Sequence, residues 1–204
     1  MLKIGVLDLQ GGVREHLEML AKLPGVNPVA VKKEQELREI DGLILPGGES
    51  TTMGKLLDIF DLKQIIIERA KAGLPIWGTC AGMILLAKEI EGAAESYLNL
   101  MEITVKRNAY GNQLASFKSQ AVIPKLAEDK IPLVFIRAPF VTAVGKNTEV
   151  LLELKEKIVA VEEDNLLATS FHPELTTDLN MHRYFADKVL DSLEKMNELQ
   201  MKLG

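Results

Sequence analysis

The sequence is poor in cysteine: Cys80 is the only one in 204 residues. An internal disulfide and a multi-cysteine zinc site are both excluded, so the value of this thiol lies in packing or in reactivity. Basic charge is also short, with 24 Lys and Arg against 29 Asp and Glu and a formal net charge of −5. A concentrated cationic face for nucleic acid or an anionic membrane is therefore not expected. No window approaches the ~18 consecutive apolar residues of a membrane span. The opening run Met1-Leu2-Lys3-Ile4-Gly5-Val6-Leu7-Asp8 lacks the basic leader, apolar stretch and cleavage site of a secretory signal, so a cytoplasmic protein is expected.

What is present is a chain with 47% hydrophobic residues, enough for one substantial core, and a single domain over residues 1–204 is expected. Short β-rich runs alternate with helical stretches: Leu2 to Leu7 then Arg14 to Lys22, Val29 to Lys32, Gly42 to Leu45 then Thr51 to Ala72, and Leu74 to Gly78 then Ala81 to Ile90. Strands separated by helix-length crossovers predict an α/β fold, a three-layer, mostly parallel sheet flanked by helices. From Leu100 to Ala160 the texture changes to short extended runs, namely Ile103 to Lys106, Gln113 to Ile123, Leu133 to Ile136 and Glu149 to Leu154. These predict a peripheral antiparallel strand extension. Lys157 to Val161 and Leu166 to Phe171 read as two more strands joined by a turn at Glu163-Asp164-Asn165. A last helix from Thr177 to Leu199 offers Leu179, Phe185, Val189, Leu190 and Leu193 as its buried stripe.

A lone cysteine is by default a small buried hydrophobe. Cys80, however, stands in Gly78-Thr79-Cys80-Ala81-Gly82, where an apolar strand runs into a helix. Small neighbours allow a sharp turn that projects the thiol toward a substrate. Unpaired N–H groups at a helix start favour negative charge, and so a thiolate and a tetrahedral oxyanion.

Such a nucleophile needs a base. His172 follows a strand in Ser170-Phe171-His172-Pro173-Glu174, and Pro173 ends that strand. Glu174 can turn back onto the imidazole, fixing its tautomer and stabilising the imidazolium. The other two histidines, His16 and His182, fall in helices with charged neighbours, read as solvated faces and receive no chemistry. In Pro46-Gly47-Gly48-Glu49-Ser50-Thr51-Thr52 a buried strand breaks into a glycine turn. Phosphate would be repelled by Glu49, and the nucleotide-loop pattern with lysine is absent. A cationic α-amino group suits the loop better.

With Pro46-Gly47-Gly48-Glu49, Gly78-Thr79-Cys80-Ala81-Gly82 and His172-Pro173-Glu174 in this order, the sequence resembles the class I glutamine amidotransferases over nearly its whole length. Leu9-Gln10-Gly11, Val13-Arg14-Glu15-His16, Arg107-Asn108-Ala109-Tyr110-Gly111 and Phe135-Ile136-Arg137-Ala138-Pro139 narrow the resemblance to the glutaminases that serve pyridoxal 5'-phosphate synthases.

The resemblance implies glutaminase activity through a Cys80, His172 and Glu174 triad. It implies an oxyanion hole at the N–H groups near Gly47 and Ala81, and glutamine contacts at Gly48, Glu49, Ser50, Arg107, Ile136 and Arg137. The arginines would bind a carboxylate and Glu49 an ammonium. Ammonia would pass to a synthase (lyase) subunit in a large hetero-oligomer, with Gln10 as the candidate partner-sensing residue. No cofactor and no metal are expected on this chain. It departs from the family pattern at Asp8, usually a small residue, and at Asn112, usually arginine. The triad alone leaves open the same chemistry for another synthase, such as that of imidazole glycerol phosphate. It also leaves open a glutamine-binding regulatory module, and a cysteine peptidase or chaperone-like protein on a related scaffold.

Overall fold

The computed structural model describes residues 1–107 and 116–203, leaving aside the side chains of 199, 200, 202 and 203. In chain order the first half comprises β1 (Leu2–Leu7), α1 (Val13–Leu20), β2 (Val26–Val31), α2 (Glu34–Glu39), β3 (Gly42–Leu45), α3 (Ser50–Ile59), α4 (Lys63–Lys71), β4 (Ile76–Thr79) and α5 (Ala81–Leu86). There follow β5 (Ala87–Ile90), β6 (Met101–Lys106), β7 (Ser116–Ala121), β8 (Ile131–Ile136), β9 (Phe140–Val144), β10 (Glu149–Leu154), β11 (Lys157–Glu163) and β12 (Leu166–Thr169). A 3-10 turn at Pro173–Leu175 and α6 (Asn180–Leu203) complete the described chain.

The main sheet has the order β2-β1-β3-β4-β12-β11-β9-β6-β5, with β10 paired to β11. From β2 to β12 all pairings are parallel. Beyond β12 the pairings to β11, β9 and β6 turn antiparallel, and β7 with β8 forms a separate antiparallel pair. The expected parallel core with an antiparallel extension is thus the observed architecture.

Residues of β3, β4 and β12 are buried throughout, as in strands covered on both faces. Their side chains nonetheless alternate in destination. Leu43, Leu45, Ile76 and Ala168 join Met53, Leu57, Ile66 and Met83 of α3 to α5 in one apolar layer. Ile44, Trp77 and Leu167 join Val13 and Leu20 of α1 and Phe185 and Val189 of α6 in the other. This period of two on a doubly covered sheet produces the three layers.

Several boundaries differ from the sequence reading. The helix expected over Ala81 to Ile90 stops at Leu86, where Ala87 turns extended and β5 pairs in parallel with β6. The stretch Thr51 to Ala72 is two helices, divided where Asp61 takes a φ of 55°. Strand β11 runs on to Glu163, so the turn is Asp164-Asn165, with Asp164 at φ 50°. Leu190 is 44% exposed, because one residue past Val189 rotates it about 100° off the buried stripe. The first residues of the run from Gln113 lie outside the described residues. Among the described residues, no helix is long and apolar enough to cross a membrane.

Candidate active site

The tips of β1, β3, β4 and β12 converge at the carboxyl ends of the parallel strands, where open α/β sheets place their ligand clefts. Register does much of the assembly. Thr79 of β4 pairs with Thr169 of β12, and the next N–H, that of Cys80, donates to Thr169 O at 2.8 Å. Cys80 itself sits at φ 48° and ψ −101°, a conformation that non-glycine residues avoid and that persists only where the surroundings impose it. Those surroundings are glycine contacts: a Cβ on Gly78 would stand 2.4 Å from the Gly82 carbonyl, and one on Gly82 would stand 2.0 Å from Leu45 O. The two flanking glycines are therefore required for α5 to pack directly on β3 and β4. The thiol of Cys80 points to Ile136 O at 3.8 Å.

His172 lies just beyond β12, its N–H donating to Val134 O at 2.8 Å. Pro173 opens the 3-10 turn, and this tight turn brings the Glu174 side chain back under the ring, with Nδ1 2.7 Å from Oε1. Both residues are buried. Burial disfavours the imidazolium, but hydrogen bonding and charge from Cys80 and Glu174 outweigh it and raise the His172 pKa from 6.5 to about 10. Nε2 is buried and makes no complete hydrogen bond, leaving it the face of the ring turned to Cys80. Gly47 closes over the pair: a Cβ there would lie 2.3 Å from His172 Cε1 and 3.4 Å from Cys80 Cβ.

A cavity of about 530 Å³ opens over these groups and gathers every residue singled out in the sequence: Gln10, Gly47, Gly48, Glu49, Ser50, Cys80, Ala81, Arg107, Ile136, Arg137, His172 and Glu174. Glu15, from the motif Val13-Arg14-Glu15-His16, also lines it, as do Gly12, Ile84 and Leu175, to which the sequence reading gave no role.

Glu49 is the N-cap of α3, accepting from Thr51 N at 3.1 Å and from Thr52 N and Oγ1 at 2.7 Å each. Partial burial works against its charge, yet the hydrogen bonds from Thr52 and Thr51 prevail and hold its pKa at about 2. One lone pair of Oε1 stays available for a cation. Gln10 Oε1 accepts from Glu49 N at 2.8 Å, and Gly12 N donates to Gly47 O at 3.0 Å, so the loop after β1 grips the loop after β3. Arg107 donates to Tyr97 Oη at 3.0 Å and lies over that ring. Arg137, at φ 45°, is exposed at the cavity rim.

The reading of His16 and His182 as solvated is overturned, since both are 0% exposed. His16 Nδ1 lies 3.0 Å from His182 Nε2, and His16 Nε2 lies 3.3 Å from Thr79 Oγ1 and 3.4 Å from Glu174 Oε2. Charged sequence neighbours are a poor guide on a helix. His16 falls in line with Val13, Met19 and Leu20 on the inner face of α1, and that spacing was the signal available in the sequence. Asp8 pairs with Lys32 at 3.1 Å on the surface. The motif Asn108-Ala109-Tyr110-Gly111 and the departure at Asn112 lie outside the described residues.

A cysteine elbow beside a histidine and a glutamate at neighbouring parallel strand tips is the arrangement of the glutamine amidotransferase class. The chain belongs to the SNO glutamine amidotransferase family, whose profile matches residues 6–191. It is 56% identical over 189 residues to the pyridoxal 5'-phosphate synthase subunit PdxT of Ruminiclostridium cellulolyticum, covering 93% of this chain and 100% of that protein. It is 54% identical over 190 residues to the subunit of the same name from Clostridium botulinum, covering 93% and 98%. A crystal structure of a glutamine amidotransferase superposes with a TM-score of 0.86 at 44% identity, covering 91% of this chain and 98% of that one.

Proposed function

We propose that this chain is the glutaminase subunit of a pyridoxal 5'-phosphate synthase, acting as one amidotransferase domain in the cytoplasm. It hydrolyses L-glutamine to L-glutamate and ammonia and passes the ammonia to the synthase subunit, within a hetero-oligomer of the two. The observation that carries this reading is the alignment of Cys80, His172 and Glu174 under one cavity, with the 2.7 Å contact between the last two. The likeness to the PdxT relatives supports the choice of synthase.

In this reading His172 takes the Cys80 proton and the thiolate attacks the glutamine side-chain carbonyl carbon. The N–H groups of Gly47 and Ala81 stabilise the oxyanion. His172 then protonates the amide nitrogen, which leaves as ammonia. Water, deprotonated by His172, cleaves the γ-glutamyl thioester to glutamate and restores the thiol. Glu174 holds the Nδ1–H tautomer throughout. Arg107 and Arg137 supply charge for the substrate carboxylate, Glu49 for its ammonium, and Gly48, Ser50 and Ile136 shape the pocket around them.

Gln10 is the lever by which a docked partner reaches the Gly47 to Glu49 loop, because its side chain is bonded to Glu49 N. Mass spectrometry of protein quenched with glutamine during turnover tests the chemistry. A γ-glutamyl adduct on the Cys80 peptide is expected, and its absence while glutamate accumulates would remove the covalent route.

A further inference from the structure

Glu174 presents its second oxygen, Oε2, to a buried interior rather than to water, and no hydrogen bond of standard geometry satisfies it there. The polar atom facing it is His16 Nε2, at 3.4 Å. A carboxylate that must stay ionised beside His172 requires a donor at that point, which fixes the proton of His16 on Nε2. Nδ1 of His16 is then an acceptor, and the group 3.0 Å from it, His182 Nε2, must be the donor. His182 Nδ1, left as a bare lone pair, is the atom of that ring with no partner. In the opposite tautomer the lone pair of His16 Nε2 would face the carboxylate, and Glu174 would lose its donor.

We infer that His16, itself fixed by His182, is a positioning residue for the reaction: its Nε2–H anchors the far oxygen of Glu174, so that the near oxygen is held against His172 Nδ1. The inference rests on the reading of Cys80, His172 and Glu174 as the reacting set.

The pair is built to remain neutral. Trp77 meets His16 edge-on at 5.6 Å and His182 at 5.2 Å, with Phe185 behind the indole at 5.7 Å. Around His16 the titratable groups are His182 on α6, Glu174 on the 3-10 turn and His172. Thr79 Oγ1 on β4 shares the Nε2–H. Burial first, and then the charges of His182 and His172, push the His16 pKa well down. Burial, with Lys22 nearby, lowers that of His182 to about 3. A neutral donor orients the carboxylate without drawing off its charge, which a second imidazolium would do.

Two measurements test this. In ring-15N-labelled wild type at neutral pH, NMR should find His16 and His182 neutral, both protonated on Nε2. A His16 proton on Nδ1 would overturn the inference whatever any variant does. The second compares His16→Leu, which removes the donor, with His16→Gln, which restores an N–H donor, in the complex with the synthase subunit. The leucine variant should lose kcat by about tenfold, the effect expected for one hydrogen bond to a charged group, with KM within about twofold. Alkylation of Cys80, the sole cysteine, by iodoacetamide should slow severalfold at neutral pH, and glutamine at 16 should recover most of both losses.

A folded leucine variant with wild-type kcat and alkylation would contradict the proposal. So would a glutamine variant as impaired as leucine, with activity tracking only the folded fraction. Cys80→Ala serves as the separate control: glutaminase activity surviving that change would sink the underlying reading of the site, while the tautomers would still report on the histidine pair.

Discussion

Thr79 and Thr169 are register partners on adjacent parallel strands, and the first residue past one is Cys80, while His172 follows shortly after the other. A one-residue slip of β12 against β4 would turn every β12 side chain to the opposite layer. The register that fills the two apolar layers is therefore the same one that sets thiol and imidazole side by side.

Replacing His172 with alanine should lower the glutaminase kcat by about 10²- to 10⁴-fold, the usual worth of a positioned general base. Steady-state kinetics with a thermal unfolding control checks this. Loss of activity only in proportion to loss of folded protein would make His172 structural.

Gly82→Ala should fail at the level of folding. The added Cβ meets a backbone carbonyl, Leu45 O, at 2.0 Å, and a carbonyl in β3 cannot swing aside as a side chain can. The expected cost is about 3 kcal/mol, the upper range for overpacking a core, read as a fall in the urea midpoint at constant slope.

Glu49 separates stability from binding. Alanine removes the cap of α3 and should cost about 1 kcal/mol. Asparagine keeps a capping oxygen but removes the charge, so Glu49→Asn should restore stability while the KM for glutamine stays about tenfold raised, the loss of one charge-assisted contact to the substrate ammonium. An asparagine variant with wild-type KM would exclude the ammonium contact.

Acid should weaken the fold through the buried histidines. His182 has a folded pKa of about 3 against an ordinary 6.5, and that of His16 is lowered as well. The unfolded chain binds their protons first. Stability is therefore full above pH 6.5 and falls as pH drops toward 3, by about 1.4 kcal/mol per pH unit for each histidine involved. His172 acts in the opposite direction: its pKa is raised to about 10, so its contribution is complete below 6.5 and lost as pH climbs through 10. Urea unfolding across this range, repeated on His182→Leu, should show a shallower acid slope in the variant.

The parallel core and the catalytic candidates were legible because each depends on local pattern: an apolar run ending in glycine, a proline ending a strand, a carboxylate two residues past a histidine. Strand β5 was not, because Ala87 to Ile90 follows the apolar helical run Ala81 to Leu86 with no glycine or proline to mark a stop, and it becomes a strand only by pairing with β6. The buried histidines were misjudged because Arg14, Glu15 and Arg183, their neighbours in sequence, lie on less buried faces of the same helices. His182 lies on the same face as Phe185, Ala186 and Val189, the spacing of an inner helix stripe. The loop from Pro46 reads in sequence as a turn with a helix cap as readily as a substrate loop, and Glu49 serves both: its carboxylate accepts from Thr51 and Thr52 and also faces the cavity.

Gln10→Ala should cut the stimulation of glutaminase by the synthase subunit, since the bond from Glu49 N to Gln10 Oε1 is a side-chain link between the two loops. Complex formation by analytical ultracentrifugation and stimulation measured on the same samples check it, and both unchanged would remove Gln10 from that role.

The most direct measurement is glutamate release from glutamine by wild type and by Cys80→Ala, each with and without the pyridoxal 5'-phosphate synthase subunit, at matched folded concentration. The account predicts activity that rises with the partner and vanishes in the alanine protein. No glutamate in any mixture, or equal release by Cys80→Ala, would contradict it.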